Sequence, residues 1–370
     1  MSSQRIAAFI EQVFTGFHKK RQQTLAVLVG ALVTVGKVGV ASLGRAIRSR
    51  VAPKHRIQQV DRCLANDKIQ VVEWCAALLA MVVGERRSIR IAIDWTKVGP
   101  WPVLVASVVI QRRGIPVYWA TCDWRKLTRS QNAFEETFLT VLRAMIPKDV
   151  DVTLLFDRGF RRVALARQLK ELGFHFVVRC PSDTRVVSPN WSGPLSDLPL
   201  PRGRVRDLGH VLATVEKPED LRLVAIFDHG QKDAWYLFTD LDLPACEIVR
   251  LYGRRFTIEE VFRDKKSTRY GWSLGEYRLK DRPDRLDRLI LVIASACFLV
   301  SWIGHCIEAK GLDRLYKANT VRTRTHGPFQ MGWKGHRLVR WLPLAWLSCF
   351  ARLAFDLDIR RSVPATGGAV

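Results

Sequence analysis

The stretch from about residue 89 to residue 180 constrains the fold of this chain most strongly. It begins with three short apolar, β-branched runs, "SIRIAID", "PVLVASVVI" and "IPVYWAT", which predict a meander of three antiparallel strands. An amphipathic helix from about Ser130 to Met145 follows, then a strand ending in Asp157, a helix over 161–172 and a strand from Phe174. The order of these elements predicts an α/β sheet.

The regions around this stretch have different patterns. Residues 1–85 are helical and basic, and "GVASLGRAIRSRVAPKHR" fits a helix-turn-helix with Ser42 as N-cap, although any small basic helical bundle gives a similar pattern. Residues 181–246 are rich in Pro, Gly and Ser and hold the separate strands "RLVAIFD" and "AWYLFTDL", which predicts a β-rich insertion. A long buried helix is expected from about Arg285 to Ala309, ahead of a basic tail.

The charge balance predicts a polyanionic partner. Lys and Arg number 59 against 35 acidic residues, which gives a formal net charge of +24 spread along the chain. Nucleic acid is the partner that such an excess favours, and a merely well-solvated basic surface is the alternative.

Cysteines and apolar runs both fit a protein without a membrane role. The eight cysteines show no metal-ligand spacing, so we expect core thiols in a reducing cytoplasm and no zinc. The apolar run Thr24–Gly36 is too short to cross a bilayer, and the run 289–307 contains two serines and a histidine, so both are expected to be core helices.

One predicted helix, from Ala245 to Lys266, carries an unusual polar stripe. At 100° per residue, four side chains of different chemistry fall within about 60° of arc beside an apolar stripe: Tyr252, Arg255, Glu259 and Lys266. Charged side chains that face the protein body are costly unless they pair or bind a ligand. The stripe is therefore either a buried salt-bridge network or part of a binding site.

Two aspartates make the binding site the better interpretation. Asp94 and Asp157 each end a predicted strand, where side chains of an α/β sheet converge on ligands, although either alone could be an ordinary turn or cap residue. Together with Glu259 they form a candidate site for hard divalent cations, which prefer oxygen ligands.

These residues carry a resemblance to a known family. The spacing Y-x2-R-x3-E-x6-K, met by the stripe on 252–266, resembles the signature of a branch of the bacterial DDE transposases, the cut-and-paste insertion-sequence family. "IAIDWTKVG" and "LLFDRGF" resemble the segments that hold the two aspartates of that family, and "HRIQQVDRCLAND" resembles a segment ahead of its catalytic core. The likeness covers about residues 50–280. Phe256 departs from it, since the family commonly has Trp there.

The resemblance implies a ribonuclease H-like catalytic core with a β-rich insertion, flanked by helical N- and C-terminal regions. The implied divisions are a helical basic DNA-binding region (1–85), the first part of the core (86–180) and the insertion (181–246). They are followed by the second part of the core with the catalytic Glu helix (247–310) and a basic C-terminal region (311–370). The implied catalytic residues are Asp94, Asp157 and Glu259, which would hold two Mg²⁺ ions, with Mn²⁺ as a substitute.

The resemblance also implies partners. Tyr252, Arg255 and Lys266 would contact phosphates and DNA ends, and an aromatic of the insertion could stack on a base, although Trp191 and Trp235 both fit a core role better. The implied substrates are the inverted repeats at the element ends and target DNA, acted on by a homodimer in the cytoplasm at the nucleoid. Two alternatives stay open: a ribonuclease H-like nuclease without strand transfer, and a DNA-binding protein derived from a transposase that no longer catalyses.

Overall fold

A computed structural model describes most of the chain up to residue 335. The described residues are 3–110, 113–123, 131–160, 162–189, 191–213, 219–256, 274, 282–316, 320 and 326–335. Five helices come first, α1 to α5, at Ser3–Val13, Lys19–Val35, Val40–Ala46, Pro53–Ala65 and Val71–Val83. The first three strands, β1 to β3, are Ser88–Val98, Trp101–Ile110 and Arg113–Thr121.

Alternating helices and strands follow the meander, as the sequence predicts. They are α6 Gln131–Met145, β4 Asp151–Phe156, α7 Val163–Glu171 and β5 His175–Cys180. Five more strands, β6 to β10, lie at Arg185–Ser188, Trp191–Pro194, Val205–Ala213, Glu219–Ile226 and Trp235–Thr239. The remaining described helices are α8 Ala245–Gly253, α9 Pro283–Ala309 and α10 Pro328–Gly335.

All ten described strands form one sheet in the order β3-β2-β1-β4-β5-β10-β9-β8-β6-β7. The antiparallel meander β1-β2-β3 is confirmed, and β4 and β5 extend it in parallel to β1. This mixed α/β sheet confirms the predicted α/β class. The insertion strands do not build a separate sheet, because β10 pairs directly with β5 and the others continue outward from it.

The predicted long buried helix is confirmed as α9. Its hydropathy and length would allow a membrane span, yet its apolar window is entirely buried within the protein, as in the core helix of a soluble protein. Trp119 of β3 donates its indole N–H to the Asp287 carbonyl of α9 at 3.1 Å, and α10 lies so close that a Cβ on Gly304 would collide with the Pro328 backbone. Thus α9 contacts both the sheet, through β3, and helix α10.

The candidate helix-turn-helix consists of α3 and α4. Ser42 is not the N-cap that the sequence predicts, because α3 begins two residues before it and Gly39 takes the cap position. The two helices cross closely: a Cβ on Gly44 would lie 2.6 Å from the Ile57 Cα, so glycine is required at this crossing. Arg56 donates to the backbone carbonyls of Arg45 and Ile47 and so fixes the connecting turn.

The predicted core cysteines are partly confirmed. Five of the described ones are buried, namely Cys75, Cys122, Cys180, Cys297 and Cys306. Cys246 is exposed, contrary to the prediction, because it lies in the first turn of α8 on the side opposite the buried Ile248. Cys63 is half-buried, and Cys349 lies outside the described residues.

Candidate active site

Asp94 and Asp157 each come directly after the last residue pair of a parallel ladder between neighbouring strands. The parallel ladder between β1 and β4 pairs Ile91 with Leu154 and ends at the pair Ile93 and Phe156. The next residue on each strand is therefore the aspartate. A buried apolar run precedes each aspartate, and the polar residue that follows each run falls at the same edge of the sheet.

The sequence predicted that Asp94 ends its strand, but in the structure the strand continues past it. β1 continues to Val98, and Asp94 pairs with Val105 of β2 on its other side. The apolar run ends at this aspartate, but antiparallel pairing with β2 keeps the backbone extended beyond it. Only the contact with β4 stops here, which leaves the Asp94 carboxylate at an open edge with 18% of its side chain exposed.

A tight turn orients the Asp157 carboxylate. Its Oδ1 accepts the Gly159 backbone N–H at 2.8 Å, and its carbonyl accepts the Phe160 N–H at 3.2 Å. A Cβ on Gly159 would lie only 2.9 Å from Oδ1. Glycine in the "DRGF" stretch therefore gives the carboxylate room to hold this position.

Arg255 connects the end of α8 to the first aspartate. Its guanidinium lies 3.5 Å from the Asp94 Oδ2, and only 5% of its side chain is exposed. The guanidinium carbon also lies 4.8 Å from the centre of the Phe256 ring, within cation–π distance. The structure thus brings Arg255 of the predicted stripe to Asp94.

The predicted single helix from Ala245 to Lys266 is wrong at its centre. α8 ends at Gly253, and Arg254 and Arg255 follow in a turn. Helical spacing alone could not reveal this interruption, because the apolar and polar stripes continue across it. Glu259 and Lys266 lie outside the described residues.

Tyr252 is fully buried beneath Arg255. Burial raises the pKa of its hydroxyl, against the lowering effect of the Arg255 and Arg179 guanidiniums, while Asp157 raises it further. The Tyr252 hydroxyl therefore lies within electrostatic reach of both arginines and of the second aspartate, and it stays protonated at neutral pH.

Arg179 is a candidate site residue that the sequence interpretation missed. Phe156 of β4 pairs with Val178 of β5, so Arg179 is level with Asp157 on the adjacent strand. Its guanidinium donates to the Ala234 carbonyl at 3.1 Å. In "FHFVVRC" a charged residue follows an apolar run as the two aspartates do, but only the strand register shows that Arg179 reaches the same edge as Asp157.

Trp235 has the core role that the sequence favoured, since it packs against the buried cluster that contains Tyr252. Its ring stacks on Phe256 with centroids 5.5 Å apart and meets Tyr252 edge-on at 4.9 Å. The first residue of β10 thereby supports the segment that carries Arg255. Trp191 lies instead on β7, the edge strand at the far end of the sheet from β3.

Among the described residues no three metal-ligating side chains come together, so Asp94 and Asp157 alone give a divalent cation an incomplete donor set. Two carboxylates in adjacent register offer the oxygen ligands that Mg²⁺ prefers. Arg179 and Arg255 add positive charge at the same edge, and a guanidinium fork matches phosphate geometry. Opposite charges at one edge of a sheet suit phosphodiester chemistry.

A comparison with protein families bears on the same stretch. Residues 126–294 match the family model described as transposase DDE domain. This match supports a DDE transposase. No curated protein matches the chain.

The transposase DDE match covers most of the candidate site. Asp157, Arg179, Tyr252 and Arg255 lie inside the matched stretch, and so do the positions of Glu259 and Lys266. Asp94 precedes it, and the strand register described above brings Asp94 to the matched residues.

Proposed function

We propose that this protein is a transposase that cuts DNA at the ends of its own element and joins the exposed 3′ hydroxyls to target DNA. The observation that carries the proposal is the adjacent register of Asp94 and Asp157, with Arg255 beside Asp94. The transposase DDE match to residues 126–294 supports it.

Asp94 and Asp157, together with Glu259, are the residues proposed to hold two Mg²⁺ ions, for which Mn²⁺ could substitute. Ions bound there would stabilise phosphate charge and lower the pKa of an attacking water. The turn at Gly159 orients Asp157, and the β1–β4 ladder brings the two aspartates to the same end of neighbouring strands. Arg255, Arg179, Tyr252 and Lys266 are proposed to hold the phosphates of the DNA end.

The order of described elements supports the ribonuclease H-like core expected from the resemblance. Three antiparallel strands, a helix, a strand, a helix and a strand come in that order, and β6 to β10 extend the same sheet. The proposed divisions of the chain stay those predicted from the sequence, except that the 181–246 insertion is an extension of the core sheet rather than a body of its own.

The exposed face of α4 is proposed to contact the DNA ends. Five polar side chains, which recur at helical spacing along this face, are exposed: Lys54, His55, Gln58, Gln59 and Arg62. Arg45, Arg48 and Arg50 add exposed positive charge from α3 and the turn. In a helix-turn-helix the second helix enters the major groove, where Gln and Arg read base edges.

The test uses a supercoiled plasmid that carries the DNA natively flanking the gene. Purified protein with Mg²⁺ should cut at inverted repeats and form joined products, and Glu259→Gln should abolish both while DNA binding persists. Cuts without joined products would favour a nuclease without strand transfer. Binding without cuts would favour a protein that has lost catalysis, and unchanged cutting by Glu259→Gln would refute the proposed site.

Two further parts of the proposal concern partners. Cutting two element ends together implies at least a dimer in the active complex, acting in the cytoplasm at the nucleoid.

DNA binding should weaken steeply with salt, because each phosphate contact releases a counterion. Arg62→Ala should lower both the affinity and the salt dependence, whereas Glu73→Ala on α5 should change neither.

A further inference from the structure

A buried carboxylate outside the predicted motif lies between the two aspartate-bearing segments. Glu135, in the second turn of α6, is only 2% exposed. Its Oε1 accepts the Trp95 indole N–H and the Gln131 side-chain amide, both at 2.9 Å. Its Oε2 accepts an Arg162 guanidinium N–H at 2.9 Å. A buried charge is tolerated when it is hydrogen-bonded in this way.

The partners of Glu135 show what it connects. Trp95 directly follows Asp94 on β1, and Arg162 lies five residues after Asp157, at the cap of α7. The carboxylate therefore joins the segment after the first aspartate to the segment after the second. Because both of its oxygens accept hydrogen bonds from side chains, Glu135 is suited to positioning and not to binding a metal itself.

We propose that Glu135 is a positioning residue that holds Asp94 and Asp157 at the separation needed for divalent cations. The inference rests on the proposed function for its purpose, but the geometry that it explains is independent of strand cleavage. The β1–β4 ladder ends at Ile93 and Phe156, so beyond that point the backbone does not fix the spacing of the two segments. The Trp95–Glu135–Arg162 bridge begins where the ladder stops.

The chain offers a matched control in the next residue. Glu136 also binds Arg162, at 2.9 Å, but its side chain is 49% exposed. An exposed ion pair contributes little to stability or geometry. Glu136→Gln thus removes the same chemical group from the same arginine without breaking the bridge to Trp95.

The variants are Glu135→Gln and Trp95→Phe. A glutamine can still accept from Trp95 but would turn its amide towards the Arg162 cation, which breaks one half of the bridge. Trp95→Phe removes the indole N–H together with part of the ring system but keeps an aromatic ring beside Phe134, so it tests the other half even if Glu135→Gln fails to fold. Breaking contacts around metal ligands typically costs about 10- to 100-fold in metal affinity.

The measurement is Mn²⁺ binding, monitored by electron paramagnetic resonance. Binding to the specific site is defined as the part that is lost in Asp94→Asn. Glu135→Gln and Trp95→Phe should each weaken this binding roughly 10-fold, while Glu136→Gln leaves it unchanged. Mg²⁺-dependent plasmid cleavage by the same variants should need correspondingly more metal and recover at high concentration.

The outcomes separate the inference from the proposed function. Mn²⁺ affinity that is the same in both bridge variants and the wild type would overturn the positioning role, and so would an equal loss in Glu136→Gln. If the variants change Asp94-dependent Mn²⁺ binding as expected while the wild-type protein never cuts DNA, that result would refute the proposed transposase function and leave the positioning role in place. A wild-type protein without Asp94-dependent Mn²⁺ binding would overturn both.

Discussion

The Arg255 guanidinium lies 3.5 Å from the Asp94 carboxylate, so a side chain suited to phosphate is in contact with one suited to a metal ion. Both are largely shielded, with 5% and 18% of their side chains exposed, which strengthens their interaction over that of a surface pair. In the proposed function this contact would link phosphate binding by Arg255 to metal binding by Asp94, because a change in one alters the charge balance of the other.

Replacing Arg255 with lysine should keep the charge but lose the planar fork. Because hydrogen bonds between charged groups contribute about 1.5–3 kcal/mol, single-turnover plasmid cleavage should fall about 10- to 100-fold. Binding to DNA of unrelated sequence should change little. The control is Arg254→Lys, since the neighbouring Arg254 is exposed; an equal loss in both variants would show that the Arg255 guanidinium beside Asp94 has no special role.

Gly159→Ala should displace the Asp157 carboxylate. The new methyl group would lie 2.9 Å from Oδ1, so the carboxylate must turn away. A displacement of about 1 Å at a reacting centre can cost roughly 100-fold in rate, so we expect a loss of that order in cleavage with only a small change in melting temperature.

The matched control for that variant is Gly253→Ala at the end of α8. Among the described residues, no atom lies within 4 Å of the position that a Cβ on Gly253 would take. Because alanine also favours a helix, the protein should gain up to about 1 kcal/mol of stability and cut normally. If Gly159→Ala also cuts normally, the turn does not orient Asp157 as described.

The sequence predicted the local elements of the site well. The apolar runs before Asp94 and Asp157 identify β1 and β4 because alternation and β-branching are local properties. The break after Gly253 escaped prediction because the amphipathic pattern runs through it. Arg179 and Glu135 were missed for another reason. Their importance comes from strand register and from contacts between distant segments, which spacing along the chain does not encode.

Tyr252→Phe should lower cleavage with little effect on folding. The ring is fully buried and keeps its packing against Trp235, while the hydroxyl beside Arg255 is lost. We expect about a 10-fold lower rate, the value of one hydrogen bond to a charged group such as the phosphate that this hydroxyl is proposed to hold. Tyr236→Phe, which changes another buried tyrosine in β10, should leave the rate unchanged.

The pH dependence of this variant gives a second check. Burial raises the Tyr252 pKa, so the hydroxyl does not ionise between about pH 6 and pH 9. The cleavage profiles of the wild type and Tyr252→Phe should therefore be parallel over that range. An alkaline decline present only in the wild type would show that the hydroxyl ionises during the measurement and would contradict its burial.

Asp287 of α9 should make stability depend on pH. Its carboxylate accepts hydrogen bonds from the backbone N–H and the hydroxyl of Thr121, and burial raises its pKa to about 7. In the unfolded chain the pKa of an aspartate is about 3.9. Between these values the folded state binds more protons than the unfolded state, so stability falls as pH rises from about 4 to 7 and then levels off.

Asp287→Asn should remove that dependence, because asparagine stays neutral and can still accept from Thr121. The free energy of unfolding in urea, measured at pH 5 and at pH 8, should differ between the two pH values by at least about 1 kcal/mol less than in the wild type.

Asp284→Asn serves as the control. A hydrogen bond from Arg282 holds the Asp284 pKa well below its usual value, so its contribution is complete above pH 4 and is lost only in more acidic solution. That variant should shift stability equally at both pH values, and an Asp287→Asn protein that keeps the wild-type difference would show that Asp287 is ionised in the folded protein throughout this range.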